Sequence, residues 1–390
     1  MSTSDIGYEN DSVSDRRAIV VGAGLVGLGS AALLARAGWS VVVLERAAEI
    51  KEVGAAIGIR GAGLEVLRRL GVLERLDEQT VVLRREEKRD AYGNLVAAQD
   101  RTTETTSYNV LRTELLNVLL DVATAAGVEV KTDSEVAEAF PNGRIVLESG
   151  SEMLADVIVA ADGFRSKIRY ATGLEHKTSL YSSGVTRVLL PREDEPDIFQ
   201  EFWSGRLRVG IAPTTTEINY AFLSAPETDA RASAVPIDPV YWSDKFPGVP
   251  RAFFDRLHSA GGIRHAYPLV KSKSWVKGRI ALVGDAATAL PPTLGIGASV
   301  GLTNAYNLAT TLEPEGIDVV AGLSHWDAVC RPIAERVQRR AGIYNGVTVR
   351  WPRRLEAVRK PFLKLLRIPA VHGRVFRPGT LMPVEDLTPR

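Results

Sequence analysis

The stretch RRAIVVGAGLVGLGSAALLARAGWSVVVLER, Arg16 to Arg46, constrains the start of this chain more than any other. Its apolar run Ala18 to Val21 reads as a buried parallel strand. Gly22, Gly24 and Gly27 follow, then a helix through Ala31–Ala35 that stops at Gly38. A second strand, Val41 to Leu44, ends at Glu45. Strand, G-x-G-x-x-G, helix, strand and acid together form the βαβ dinucleotide-binding fingerprint. Gly22 permits the tight turn, Gly24 lets backbone approach a pyrophosphate, and Gly27 lets helix pack on strand. The helix N-terminus offers unpaired N–H groups to the phosphates. Glu45 is suited to ribose hydroxyls and disfavours a 2′-phosphate, with Arg46 beside it as a further contact. The fingerprint alone serves FAD or NAD; a glycine turn that holds nothing is the alternative.

The 390 residues suffice for two domains or for one with an insertion. A formal net charge of +1 and the lack of an aromatic-interleaved basic patch give no sign of nucleic acid. One cysteine, Cys330, excludes an internal disulfide and fits a reducing cytoplasm. Residues 1–16 read as a polar, disordered leader without a signal peptide's apolar core. No apolar run reaches the roughly 18 residues of a membrane span. Five scattered histidines offer no metal-ligand spacing, so no metal is expected. From Arg350 to Arg377, nine basic residues face one acid, Glu356. That segment reads as a solvated helix packed on the body, or as a peripheral contact with an anionic membrane. Pro352, Pro361 and Pro369 break it into short helices. The expected assembly is a monomer or a homodimer.

Two further stretches narrow the cofactor. ADVIVAADGFRSKIR carries a buried strand, Val157 to Ala161, then Asp162-Gly163, Ser166 and Arg169. GRIALVGDAATALPP carries another, Ile280 to Val283, then Gly284-Asp285. In NVLRTELLNVLL, Arg112 opens a helix. With the glycine turn, these ordered motifs resemble the FAD-dependent aromatic-ring hydroxylases, the class A flavin monooxygenases typified by para-hydroxybenzoate hydroxylase. The resemblance runs from about Arg17 to about Ala341. It implies an α/β fold: a Rossmann-like FAD-binding domain, an inserted antiparallel-sheet substrate domain and C-terminal helices. The FAD-binding part is expected over 17–79, 105–176 and 263–345, the substrate part over 80–104 and 177–262, and a helical segment over 346–390. It further implies FAD as cofactor and NADH or NADPH as transient co-substrate. Asp285 would contact the ribityl chain, although a helix N-cap is an equal reading of that side chain. Asp162 would lie by the pyrophosphate, and Arg60 after the glycine-rich loop would reach flavin or nicotinamide.

The segment GDAATALPPTLGIGASVGLTNA contains no basic residue. By the resemblance, Pro292, Gly295, Gly297, Ala298 and Ser299 form a loop and helix start whose N–H groups face the pyrimidine side of the flavin. A helix N-terminus stabilises the anionic reduced ring without a counter-ion. The chain departs from the family at Thr288 (usually His), Ile296 (Gln), Ser299 (Asn) and Asn304 (an acid). These changes spare backbone contacts and remove polar side chains near the reactive edge.

FQEFWSGRLRVGIAPTTTEINYAFL reads as an antiparallel meander with turns at Ser204-Gly205 and Thr214–Glu217. KRDAYGNLVAA adds an earlier hairpin turning at Gly93-Asn94. Phe199, Phe202, Trp203, Tyr220 and Phe222 are candidates for the pocket wall, with Phe202, Tyr220 and Phe222 named as substrate contacts; alternation leaves about half of these rings for the pocket. PVYWSDKFPGVPRAFFDRL reads as helix over the sheet. His265 and Tyr267 are the catalytic candidates, a packed histidine being the alternative for His265. The expected reaction is oxygenation, above all hydroxylation, of an aromatic or polyketide-like small molecule with O2 through a flavin C4a-hydroperoxide. A non-redox cyclase using FAD as scaffold and an oxygen-independent flavin reductase are the competing readings.

Overall fold

The computed structural model describes residues 16–51, 54–77, 80–100 and 107–349. The leader to residue 15 and the basic segment from 350 onward lie outside the described residues.

Apolar runs with no polar alternation are buried on both faces, and here they build a parallel sheet. Its six strands run in the order Val276–Lys277, Ile280–Leu282, Val157–Ala160, Arg17–Val21, Ser40–Leu44, Glu129–Lys131. Only the outermost pair, Val276–Lys277 with Ile280–Leu282, is antiparallel. Helices Leu25–Arg36, Arg112–Ala125 and Gly297–Thr311 belong to the same apolar core. The glycine turn and Gly284 both follow strands of this sheet at their C-terminal ends, where open α/β sheets hold ligands.

A seven-stranded sheet stands beside it, ordered Ile263–Ser272, Glu175–Pro191, Ile218–Pro226, Leu207–Pro213, Phe199–Ser204, Arg85–Asp90, Leu95–Asp100. Two features differ from the expected meander. Strand Ile263–Ser272, expected in the FAD-binding part, pairs with Glu175–Pro191 here, so His265 and Tyr267 stand on the substrate sheet. The early hairpin joins through a parallel pairing of Arg85–Asp90 with Phe199–Ser204. A long connection separates those strands, which frees their relative direction from the constraint of a tight turn.

Strand side chains alternate between faces. One face of the seven-stranded sheet carries Val188, Phe202, Val209, Ala221 and Leu223 against helices Pro239–Lys245 and Arg251–Ala260. Trp242 and Phe246 stack there at 5.7 Å, and both are fully buried. That second core fixes the phase of the four central strands, Glu175–Pro191, Ile218–Pro226, Leu207–Pro213 and Phe199–Ser204, and turns their other face toward the flavin-side elements. The last helix, Val319–Thr348, packs on both halves: Gln338 reaches the flavin-side loop, and Asn345 reaches Ser183 of the seven-stranded sheet.

Candidate active site

Each fingerprint glycine has a distinct local cause. Gly22 has φ +103°, and a Cβ there would lie 2.7 Å from the Ala161 carbonyl oxygen. A Cβ on Gly27 would overlap the Gly22 carbonyl, so helix and turn meet only through glycine. Around Gly24 a Cβ would meet nothing within 4 Å. That position opens onto the cavity, and Gly24 caps helix Leu25–Arg36 without a side chain taking up its first N–H groups. Glu45 accepts the N–H of Ala23 at 2.8 Å and that of Ala47 at 2.9 Å, bracing the turn from the second strand. Arg46 beside it is exposed, and neither residue lines the cavity.

The cavity measures about 1620 Å³. Single small-ligand pockets are roughly 300–1,000 Å³, so a dinucleotide and a second molecule fit together. Asp285 lines it from the first turn of Gly284–Ala287, whose N-cap is Val283; the capping reading of Asp285 therefore falls. Pro292 starts a 3₁₀ turn, Gly295 takes the left-handed conformation at φ +60°, and Gly297 begins helix Gly297–Thr311. Its N-cap, Ile296, has no capping side chain, so the helix presents free N–H groups beside Gly297 and Ala298 at the cavity wall. Arg60 and Arg112 line the same space, Arg112 from the start of its helix. Ser299 does not. It is buried, and its hydroxyl accepts the Arg60 N–H at 3.2 Å, so it locks the helix onto strand Ala56–Arg60 instead of facing a ligand. Asn304 is buried, its main-chain carbonyl accepting from the Trp326 indole.

Asp162 lies behind the glycine turn with Oδ1 buried and unpartnered. Burial, against weaker help from Ser166 and nearby N–H groups, raises its pKa. Arg169, 1% exposed, ties this segment to the flavin-side turn by donating to Ala286 O at 2.8 Å and Phe164 O at 2.7 Å.

Across the cavity stands the open face of the seven-stranded sheet. Phe199, Phe222 and Tyr220 form an aromatic row with centroids 6.3 and 6.1 Å apart. Phe202 is excluded from it: register places Phe202 opposite Val209, in the second core, where it is 6% exposed. His265 faces the cavity with Nδ1 unpartnered, and burial followed by Arg187 and Arg112 lowers its pKa below 6.5. The imidazole is therefore neutral at pH 7. Tyr267 is 2% exposed, shares a 2.8 Å hydrogen bond with Ser224, and has its pKa raised by burial.

Sequence reading passed over several groups on this wall. Arg208 and Glu201 form a buried ion pair, 2% and 3% exposed at their side chains. Burial works against the Arg208 charge, but Glu201 holds it protonated. Tyr344, from the last helix, lies with its ring 5.7 Å from the Arg208 guanidinium. Arg187 completes the wall. Period-2 spacing from Phe199 marks Glu201, but nothing local marks Tyr344, which arrives from a distant helix.

An open cradle at Gly24, two uncapped helix starts and the orphaned Asp162 oxygen suit a dinucleotide carrying a flavin. The model of the FAD binding domain family matches residues 15–341. A 2-heptyl-3-hydroxy-4(1H)-quinolone synthase of Mycobacteroides abscessus is 32% identical over 338 residues, 84% of this chain and 89% of that protein. The chain belongs to this family. Tetrameric 2-methyl-3-hydroxypyridine-5-carboxylic acid oxygenase superposes with a TM-score of 0.80 at 31% identity, covering 90% of this chain and 98% of that one. A Klebsiella pneumoniae protein solved with FAD and uric acid shares the fold at TM-score 0.82 and 22% identity, over 95% and 98% of the two chains. The protein is an FAD-dependent monooxygenase of the class A flavin type, with NADH or NADPH as reductant. FAD supplies oxygen activation when bound; Gly24 and the helix starts at Leu25 and Gly297 would hold it, with Arg60, Arg112, Asp162 and Asp285 around it. No group of three or more metal-ligand side chains occurs among the described residues.

Proposed function

We propose that this monooxygenase hydroxylates a planar aromatic heterocycle bearing an ionisable oxygen or a carboxylate. The observation behind this reading is the corner formed by Arg187, Tyr220 and His265. Arg187 lines the cavity half-buried, with no carboxylate within ion-pair distance among the described residues. It acts electrostatically on both Tyr220 and His265. A guanidinium left in such a corner favours an anionic partner, and its planar fork suits a carboxylate or an ionised hydroxyl. Tyr220, Phe222 and Phe199 offer ring faces to a flat substrate, while neutral His265 can accept its N–H or O–H proton. The named relatives are a synthase of a hydroxyquinolone and an oxygenase of a hydroxypyridine carboxylic acid, compounds of this chemical class.

Water exclusion is the other task of this chain. The flavin-side loop, the aromatic row and Tyr344 close around the space where the ring edge and substrate would meet. No helix among the described residues is long and apolar enough to cross a membrane. We place the protein in the cytoplasm, a reading supported by the free, buried Cys330.

A panel of hydroxyquinolones, hydroxypyridines and their neutral methyl ethers, scored by substrate-dependent O2 uptake, tests the proposal. Ionisable members should be turned over, and Arg187→Ala should raise their KM by about 10- to 150-fold, one lost charge-assisted contact being about 1.5–3 kcal/mol. Equal turnover of the methyl ethers, or an unchanged KM in the variant, would refute it.

A further inference from the structure

We propose that Gln338 is a positioning residue that sets the flavin-side loop at its distance from the substrate wall. It sits on helix Val319–Thr348, 4% exposed, outside the cavity lining. Its Nε2 lies 2.7 Å from Ala289 O, 2.6 Å from Val270 O and 3.0 Å from Thr288 Oγ1. An amide nitrogen has two hydrogens, so two of these acceptors are served at once and the third is held beside them. Thr288, Ala289 and Val270 are all buried, and water cannot take over the task.

The partners give the contact its meaning. Ala289 is followed by Leu290, which lines the cavity, and then by the turn and helix start through Ala298. Val270 belongs to strand Ile263–Ser272, which carries His265 and Tyr267. One side chain therefore fastens the loop to the strand that bears the substrate-facing groups. Further ties are Ser272 Oγ donating to Ala287 O at 2.8 Å and the Val270 N–H reaching Ala289 O at 3.3 Å. The same helix places Tyr344 against Arg208 and Trp203, the latter at 6.4 Å. A single rigid element thus touches both walls. Thr288, where the family usually carries histidine, is satisfied within the same cluster.

The proposal rests on reading Leu290–Ala298 as the loop that faces the flavin, and the experiment separates the two. Gln338→Met keeps length and apolar packing while removing both donors. In FAD-free protein, amide exchange over 287–294 should quicken about tenfold with the fold retained. In FAD-loaded protein, the flavin midpoint potential should fall by about 30 mV, a tenfold change for a two-electron couple. Gln338→His, which keeps one N–H donor, should recover part of both. Val337→Ala loosens the neighbouring buried position of the helix while leaving the Gln338 amide in place and should leave the potential unchanged. Unchanged exchange in Gln338→Met, or an equal potential shift in Val337→Ala, would overturn the proposal. Faster exchange with an unchanged potential would overturn it together with the flavin-facing reading of the loop.

Discussion

Gly24→Val and Gly27→Ala separate cofactor binding from folding, although the two glycines lie three residues apart in one motif. Gly24 has φ −76°, which any residue adopts, and its Cβ would meet no heavy atom within 4 Å. FAD-free Gly24→Val should therefore unfold within about 1 kcal/mol of the parent, the scale of an N-cap change. The branched side chain would project into the cavity that Gly24 lines, beside the helix N–H groups suited to phosphate. Losing two charge-assisted hydrogen bonds of about 1.5 kcal/mol each removes about 3 kcal/mol of binding. At 1.4 kcal/mol per tenfold, FAD affinity should fall by about 10²-fold. Gly27→Ala inverts the pattern: its Cβ overlaps the Gly22 carbonyl oxygen, which must move. Overpacking of this kind costs about 1–3 kcal/mol and should appear in the FAD-free protein. Urea unfolding of FAD-free samples and flavin-fluorescence titration give the two quantities. Wild-type affinity in Gly24→Val, or parental stability in Gly27→Ala, would refute the assignment of roles.

Gly297→Pro removes an N–H at the first residue of its helix; spectroelectrochemistry should show the flavin potential about 30–60 mV lower, with FAD still bound, from one lost charge-assisted bond. Phe202→Ala should destabilise the protein by about 3–5 kcal/mol in chemical denaturation, since its ring fills the second core, while leaving FAD affinity intact. Phe222→Ala should instead raise substrate KM with a smaller loss of stability. His265 gives a pH signature. Folding lowers its pKa, so below 6.5 the unfolded chain binds the extra proton and stability falls as pH falls. kcat/KM should decline further to the acid side, through the lowered folded-state pKa, and His265→Phe should lack that limb.

Legibility in the sequence followed the range of the interactions. The glycine turn, Gly284-Asp285 and the helix start at Gly297 are built from neighbours in the chain, so spacing alone exposes them. The meander strands were equally visible, but alternation reveals a period and not a phase. Phe202 and Phe222 look alike in sequence. Helices Pro239–Lys245 and Arg251–Ala260 decide which face is covered, and they turn Phe202 inward. Ser299 differs from expectation for a related reason: family position suggests a ligand, whereas the neighbouring strand offers the Arg60 N–H it accepts. Tyr344 and Gln338 come from a helix remote in sequence from everything they touch. Arg187 and the Glu201–Arg208 pair sit in strands whose composition gives no reason to expect charge inside.

The most direct measurement is isotopic. With FAD-loaded protein, NAD(P)H, a hydroxyquinolone or hydroxypyridine substrate and ¹⁸O-labelled dioxygen, product is analysed by mass spectrometry. A monooxygenase places one ¹⁸O atom in each product molecule and consumes O2 in step with product formation. Product carrying oxygen from water, or product formed at the same rate without O2, would contradict that assignment.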